Sequence, residues 1–172
     1  SVALQRPNRV AGLVIANTWC WPPSRFMRMF SKALGSRVGR YLILQHNLFV
    51  ERILPATLRR PEAKAPAVMA AYRGPFPDPS SRLGTWVFPR AIVKQATWLA
   101  GLESNLHLLS RVPVDLVVGD KDPAFGRRDA VQHWLRHFPQ SRLARVSGAG
   151  HYIQEDAPEA VVAGVRSVLG KL

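Results

Sequence analysis

Two polar residues, each placed just after a short apolar run, carry the clearest chemistry in this sequence. Asp122 closes the segment Gly-Asp-Lys-Asp after one run, and His151 follows Gly-Ala-Gly after the next. A carboxylate that hydrogen-bonds one imidazole nitrogen fixes the tautomer and stabilises the imidazolium, while the other nitrogen moves protons. The pattern therefore predicts that His151 is a general base and that Asp122 is the acid that orients it. Asp120 is the alternative acid, and its other interpretation is a turn cap.

Strands and helices that could position these two residues are visible in the periodicity. Short runs rich in β-branched residues are typical of strands buried in a parallel sheet. They occur at 10–17, 112–118 and 142–146, with helix-spaced apolar residues at 129–138 and a closing helix that Asp156 would cap and Pro158 would enter. This order predicts a parallel sheet with right-handed crossovers and flanking helices.

The middle of the chain follows a different pattern. Residues 24–34 and 91–102 look helical, and the stretch between them is interrupted by many prolines. This segment is too long for a simple connection and too irregular for sheet strands. We interpret residues 19–111 as an inserted, mainly helical cap, and residues 1–18 and 112–172 as the core. Residues 1–6 are predicted to be the end of a helix that stops before Pro7.

Composition excludes several classes of protein. The 172 residues are 47% hydrophobic without a run long enough to span a membrane. The single cysteine, Cys20, excludes an internal disulfide and a cysteine-based zinc site, and it fits a reducing, cytoplasmic location. The net charge of +13 comes mostly from scattered arginines without a nucleic-acid motif, so no nucleic-acid partner is predicted.

One pair of histidines has a spacing that could bind a metal ion. His133 and His137 are four residues apart on a predicted helix and could share an ion. With no third ligand evident nearby in the sequence, we interpret them as a surface pair and predict no metal and no cofactor.

Several motifs together resemble those of the haloalkane dehalogenases, which are α/β-hydrolases with a helical cap. They are Arg-Pro-Asn-Arg-Val at 6–10, Asn-Thr-Trp-Cys-Trp-Pro at 17–22, Gly-Pro-Phe-Pro-Asp at 74–78, Phe-Pro-Arg at 88–90, and the segments 119–126 and 148–155 around the acid and the histidine. The resemblance covers nearly the whole chain.

The resemblance implies a two-step hydrolysis of a small halogenated alkane. In that family an aspartate displaces the halide and forms an alkyl ester, which a histidine-activated water then hydrolyses. Carried over, the histidine is His151. The acid follows one of two strands in the family; here these positions offer Asn17, which cannot serve as an acid, and Asp122, which can.

The nucleophile is the main departure from the family. It belongs on a sharp strand-to-helix turn ahead of the acid and the base, and this sequence contains no such turn. By the resemblance it would lie upstream of Ser1. We therefore expect a truncated α/β-hydrolase that is inactive alone. Its first strand would have an open edge, which an N-terminal half or a second copy of the chain would cover.

Residues next to the acid and the base, and two tryptophans, are further candidates for the substrate site. Ala124 and Phe125 after the acid, and Tyr152 and Ile153 after the base, are predicted to line an apolar substrate pocket. Trp19 and Trp21 either donate indole N–H groups to a halide or pack the cap on the core.

Two other functions remain open. An epoxide hydrolase would need cap tyrosines in a recognisable pattern, and only Tyr41 and Tyr72 lie in the cap. A non-catalytic interaction protein, or one half of a split enzyme, is the other alternative.

Overall fold

The structure is a computed structural model that describes residues 2–171. These residues divide into two compact units. The first contains residues 2–19, 57–63 and 102–171, and the second contains residues 20–56 and 64–101. Within the described residues, no helix has both the length and the apolar character that a membrane crossing requires.

A parallel sheet forms the centre of the first unit. Its strands are β1 (Leu13–Ala16), β2 (Val114–Gly119) and β3 (Arg142–Val146), in the order β1-β2-β3. Leu116 in β2 is opposite Ile15 in β1 and Leu143 in β3. All of β2 is buried, as expected for the middle strand of a covered parallel sheet. The parallel sheet predicted from the sequence is confirmed.

Helices account for most of the remaining chain. The α-helices are α1 (Val2–Gln5), α2 (Arg25–Gly35), α3 (Arg37–His46), α4 (Leu54–Thr57), α5 (Pro66–Arg73), α6 (Leu83–Lys94), α7 (Ala96–Ser104), α8 (Arg128–His137), α9 (Ile153–Asp156) and α10 (Pro158–Leu169). Short 3-10 helices occur at Pro7–Arg9, Glu62–Lys64 and Leu106–Leu109, and a π-helix at Phe49–Ile53.

The core of the first unit forms where α10 packs on the sheet. A glycine allows the close approach, because a Cβ at Gly164 would lie 3.0 Å from Val117 Cγ2 and 3.2 Å from Val14 Cγ1. The buried cluster beneath the helix comprises Val117, Ala149, Ile153 and Ala157, with Val14, Ala16, Val146, Ala160 and Val161 packed against it. This packing places the loops after β2 and β3 on a rigid base.

The second unit is helical. Ser24 caps α2 by accepting a hydrogen bond from the Met27 N–H, and α2 lies within one residue of the helix predicted at 24–34. The helices α2, α3 and α6 pack together. Between them the Trp86 ring lies under two guanidinium groups, 4.4 Å from Arg90 and 5.2 Å from Arg40, which are favourable cation–π distances.

One helix prediction needs its boundaries corrected, and another is wrong. Residues 91–102 are helical except at Gln95, but they belong to two helices: α6, which begins at Leu83, continues through Pro89 and ends at Lys94, and α7, which begins at Ala96. Pro89 removes one backbone hydrogen bond, but Pro89 and Ile92 are both buried, and their packing holds the helix together. Asp156 does not cap the last helix, since α10 begins after Ala157 without a side-chain cap.

A buried ion-pair network joins the sheet to the end of the chain. Asp115 in β2 is fully buried, and its carboxylate accepts hydrogen bonds from Arg142 at 2.7 Å and Lys171 at 3.0 Å. Burial by itself would raise the pKa of Asp115, but the hydrogen bonds from Arg142, Lys171 and Ser167 outweigh it and hold the pKa below its ordinary value. The carboxylate is therefore ionised and paired near neutral pH.

Arg142→Ala should lower the free energy of unfolding by about 1–2 kcal/mol near neutral pH, because a buried carboxylate loses one of its charged donors while the arginine itself is half-exposed. The lowered pKa gives a stabilisation that is present above the unfolded-state pKa of about 3.9 and is lost as the pH falls through the folded-state value. The difference in free energy of unfolding between the unsubstituted protein and Arg142→Ala should therefore become smaller below about pH 4. Denaturant titrations across pH would measure it. Arg145→Ala, on the same strand, is the control, and an equal loss in both variants would contradict this role for Arg142.

An apolar surface is left on the outer side of β1. A groove of about 800 Å³ lies between α1, the segment 9–14 and α10. Three exposed residues of α10 extend the apolar surface: Val162 at 48%, Val165 at 43% and Leu169 at 60% exposure. In the described chain β1 is also an edge strand, paired only with β2. The groove, the exposed α10 side chains and the unpaired edge of β1 together form one continuous feature of the first unit.

Candidate active site

The predicted acid and base lie together beyond the carboxyl ends of β2 and β3. His151 Nδ1 is 2.9 Å from Asp122 Oδ2. The Asp122 side chain is completely buried, whereas 34% of the His151 side chain is exposed. The other carboxylate oxygen accepts the backbone N–H groups of Ala124 at 2.8 Å and Phe125 at 3.2 Å. These contacts fix the carboxylate, which in turn fixes the imidazole with Nδ1 facing Asp122. Nε2 is therefore the nitrogen left for proton transfer.

Asp120, the alternative acid, has a different contact. Its carboxylate accepts the backbone N–H of Gly148 at 2.8 Å. Gly148 has a φ of 76°, in the left-handed region that glycine adopts without strain. Asp120 thus holds the turn that leads from β3 toward His151, and it is the Asp122 carboxylate that faces Nδ1 of the imidazole as acceptor.

Asn17 connects the ends of two strands to the histidine loop. Its amide nitrogen donates to the carbonyl oxygens of Gly150 at 2.6 Å and His151 at 2.9 Å. Its amide oxygen accepts the N–H of Gly119 at 3.0 Å, at the end of β2. Asn17 is buried and has a φ of 38°, a conformation that asparagine tolerates better than most residues. The sequence had shown only that Asn17 cannot be an acid, and this positioning contact was missed.

Asp156 secures the same loop from the other side. Its buried carboxylate accepts the backbone N–H groups of Arg59 at 2.9 Å, Arg60 at 3.0 Å and Gly150 at 2.6 Å. The loop at Gly150 passes so close to the segment before Arg59 that a Cβ there would lie 2.0 Å from the Thr57 carbonyl oxygen. The residue predicted to cap a helix therefore holds the backbone next to His151.

Aromatic rings surround the imidazole. The Phe125 ring centroid is 5.6 Å from that of His151, and the Trp19 ring stacks on Phe125 at 4.9 Å. Tyr152 meets His151 edge-on at 5.3 Å, and burial raises the pKa of its hydroxyl. The indole N–H of Trp19 is buried and has no hydrogen-bond partner among the described residues. His151 therefore lies in a largely apolar setting.

The residues predicted to line a pocket occupy different environments. Phe125 and Tyr152 contact the His151 ring, and Ala124 is partly buried beside the acid. Ile153 is 2% exposed and belongs to the core cluster under α10. Their role in binding substrate stays a prediction.

A second cluster of side chains corrects an expectation from the sequence. His133 and His137 were expected to lack a third metal ligand. The carboxylate of Glu103 lies beside both rings, and the three side chains place a ligand atom each within 4.8 Å of one another. The sequence did not show this, because Glu103 lies on α7, 30 residues before His133.

Comparison with known proteins identifies the fold and the family of the chain. The α/β-hydrolase fold family matches residues 1–158. Haloalkane dehalogenase 2 of Mycobacterium tuberculosis is 38% identical over 168 residues, which are 96% of this chain and 58% of the relative. A haloalkane dehalogenase of Sphingobium indicum is 31% identical over 158 residues, which are 90% of this chain and 52% of the relative.

A solved structure shows the same arrangement of elements. The haloalkane dehalogenase DbeA of Bradyrhizobium elkani superimposes with a TM-score of 0.79 and 26% identity, over 99% of this chain and 64% of that one. The chain thus spans roughly half to two thirds of the length of these relatives. It has the α/β-hydrolase fold, and it belongs to the haloalkane dehalogenase family.

Proposed function

We propose that this chain supplies the base and the acid of a haloalkane dehalogenase, and that it acts in the second chemical step, hydrolysis of an alkyl ester. The observation that carries the proposal is the pair formed by Asp122, fully buried, and His151, one third exposed, at 2.9 Å. The first step needs a carboxylate nucleophile, which a completing segment would provide. In this first step the carboxylate attacks the carbon that bears the halogen, so that a carbon–oxygen bond forms, the carbon–halogen bond breaks and halide leaves.

From this geometry we assign each residue a role in the second step. Nε2 of His151 takes a proton from water, and the resulting hydroxide attacks the ester carbonyl. As the ester bond breaks, the imidazolium returns the proton to the departing alkoxide, and the product is an alcohol. Asp122 stabilises the imidazolium between these two transfers. The apolar rings of Phe125 and Trp19 suit a halogenated alkane, which offers few hydrogen-bonding groups.

The second compact unit, residues 20–56 and 64–101, is our proposal for the helical cap. It coincides with most of the segment 19–111 that the sequence set apart, and helices form most of it.

Halide release would test the proposed function. The 172-residue chain alone should show no measurable turnover of a brominated alkane, because ester hydrolysis cannot occur before an ester has formed. Co-expression with the complementary N-terminal segment of the Mycobacterium tuberculosis relative should restore release, with that segment alone as the control. Halide release by the isolated chain at one equivalent or more would contradict the proposal, as would epoxide opening by the restored complex without dehalogenation.

The apolar face beside β1 leads to a prediction about association. We propose that the complementary segment covers the groove and the edge of β1. Without it the chain should self-associate, and increasingly so as salt rises, because the net charge of +13 opposes association only while it is unscreened. Light scattering across a salt series would measure this. A compact monomer at every ionic strength would show that the chain does not need this face covered.

A further inference from the structure

Three side chains on α7 and α8 converge in a way that the hydrolase chemistry does not use. His133 and His137 are four residues apart and so lie on one face of α8, with ring centroids 5.5 Å apart. Glu103 lies in α7, one residue before its end. Nε2 of both histidines faces the same carboxylate oxygen of Glu103: that of His133 is in direct contact, and that of His137 is at 3.5 Å.

The donor set is that of a zinc site. We propose that Glu103, His133 and His137 bind a divalent transition-metal ion of the zinc class. Two imidazole nitrogens and one carboxylate oxygen are ligands that such ions accept, with a fourth position open to water. In a tetrahedral site with bonds of about 2.0–2.1 Å, the ligand atoms are about 3.3 Å apart. The separation of 3.5 Å between His137 and Glu103 already fits, and all three ligand atoms lie within 4.8 Å of one another.

An ion from solution could reach these atoms. The side chains of His133, Glu103 and His137 are 24%, 25% and 27% exposed. They are held by helix backbone on either side, so only side-chain rotations separate the observed arrangement from a coordinated one. Bound metal would link α7 to α8, and it would stabilise the fold by mass action.

One neighbouring side chain, Arg136, opposes the binding of a metal ion. The guanidinium of Arg136 donates to Nδ1 of His133 at 3.0 Å. A histidine bound to metal through Nε2 carries its proton on Nδ1 and needs an acceptor there instead. Arg136 must therefore turn away when metal binds, which its exposed position on α8 allows. Its charge also repels a cation. Removing this side chain should therefore strengthen binding.

The test is a titration of the chain with ZnCl₂ in competition with a chromophoric chelator, at low ionic strength and on a Cys20→Ser background that removes the single thiol. One ion should bind per chain. His133→Ala, His137→Ala and Glu103→Gln should each weaken binding by more than about tenfold, and Arg136→Ala should tighten it. His107→Ala is the matched control, since His107 is exposed and lies outside the cluster.

Two further readouts guard against misfolded variants. Far-UV circular dichroism identifies any variant that has lost its helices. If a histidine variant misfolds, the Zn²⁺ affinity of Glu103→Gln, which preserves the shape of the side chain, tests the proposal in its place. Co²⁺ in place of Zn²⁺ should give the intense visible absorption of a four-coordinate site, and this absorption should be lost in the same variants. Equal affinity in the cluster variants and in His107→Ala, or no binding that outcompetes the chelator, would overturn the proposal.

Discussion

His151→Phe should allow the first chemical step and stop the second. When the nucleophile is supplied by a completing segment, the variant should release one equivalent of halide and then lose multiple turnover by about 10²–10⁴-fold, the range attributed to a positioned general base. The reason is that displacement of halide needs only the carboxylate, whereas hydrolysis of the ester needs water activated by Nε2. Phenylalanine keeps the ring volume beside Phe125 and Tyr152, which contact the imidazole.

Rapid-quench measurement of halide against alcohol would separate the two steps. His107→Phe provides the matched control, because it makes the same change at an exposed histidine outside the pair. Alcohol production at the rate of the unsubstituted protein would show that His151 is not the base.

Asp122→Asn should produce the second-largest loss, on the same step. By analogy with serine-protease triads, replacing the acid by its amide can cost up to about 10⁴-fold in turnover, because the amide holds the wrong tautomer and cannot stabilise the imidazolium. The substitution is nearly isosteric, so the oxygen that accepts from Ala124 and Phe125 can remain in place. The loss should therefore occur with little change in stability.

Asp120→Asn separates the two candidate acids. Asparagine can still accept the Gly148 N–H through its side-chain oxygen, so turnover should fall by less than about tenfold, far from the loss expected for a triad acid. Parallel measurements of turnover and thermal unfolding on both variants would test the assignment. A larger loss in Asp120→Asn than in Asp122→Asn would transfer the acid role to Asp120.

The sequence predicted the parallel sheet because its strands are short and apolar with turn residues at their ends. It also predicted the placement of Asp122 and His151, because the carboxyl ends of parallel strands meet at one edge of a sheet. Both inferences used residues close together in sequence. The family assignment rested likewise on contiguous motifs, and the comparisons confirm it.

What the sequence missed depends on long-range contacts. Asn17 holds the backbone at Gly150 through a bond that spans 133 positions, and Asp156 accepts from Arg59 and Arg60 across 97 and 96 positions. Neither residue belongs to a pattern that would reveal these partners. Asp156 looked like a helix cap because it precedes Pro158, yet its carboxylate is taken up by backbone N–H groups of a distant segment. Glu103 beside His133 is a third case, since the two residues lie 30 positions apart on different helices.

The intact mass of His151→Phe after reaction with a brominated alkane tests the central claim most directly. In complex with a completing segment, the protein should gain the mass of one alkyl group per complex, and the adduct should persist because no base activates water to hydrolyse it. The unsubstituted complex should show the adduct only transiently. A His151→Phe complex that stays unmodified while halide is released with continued turnover would contradict the account.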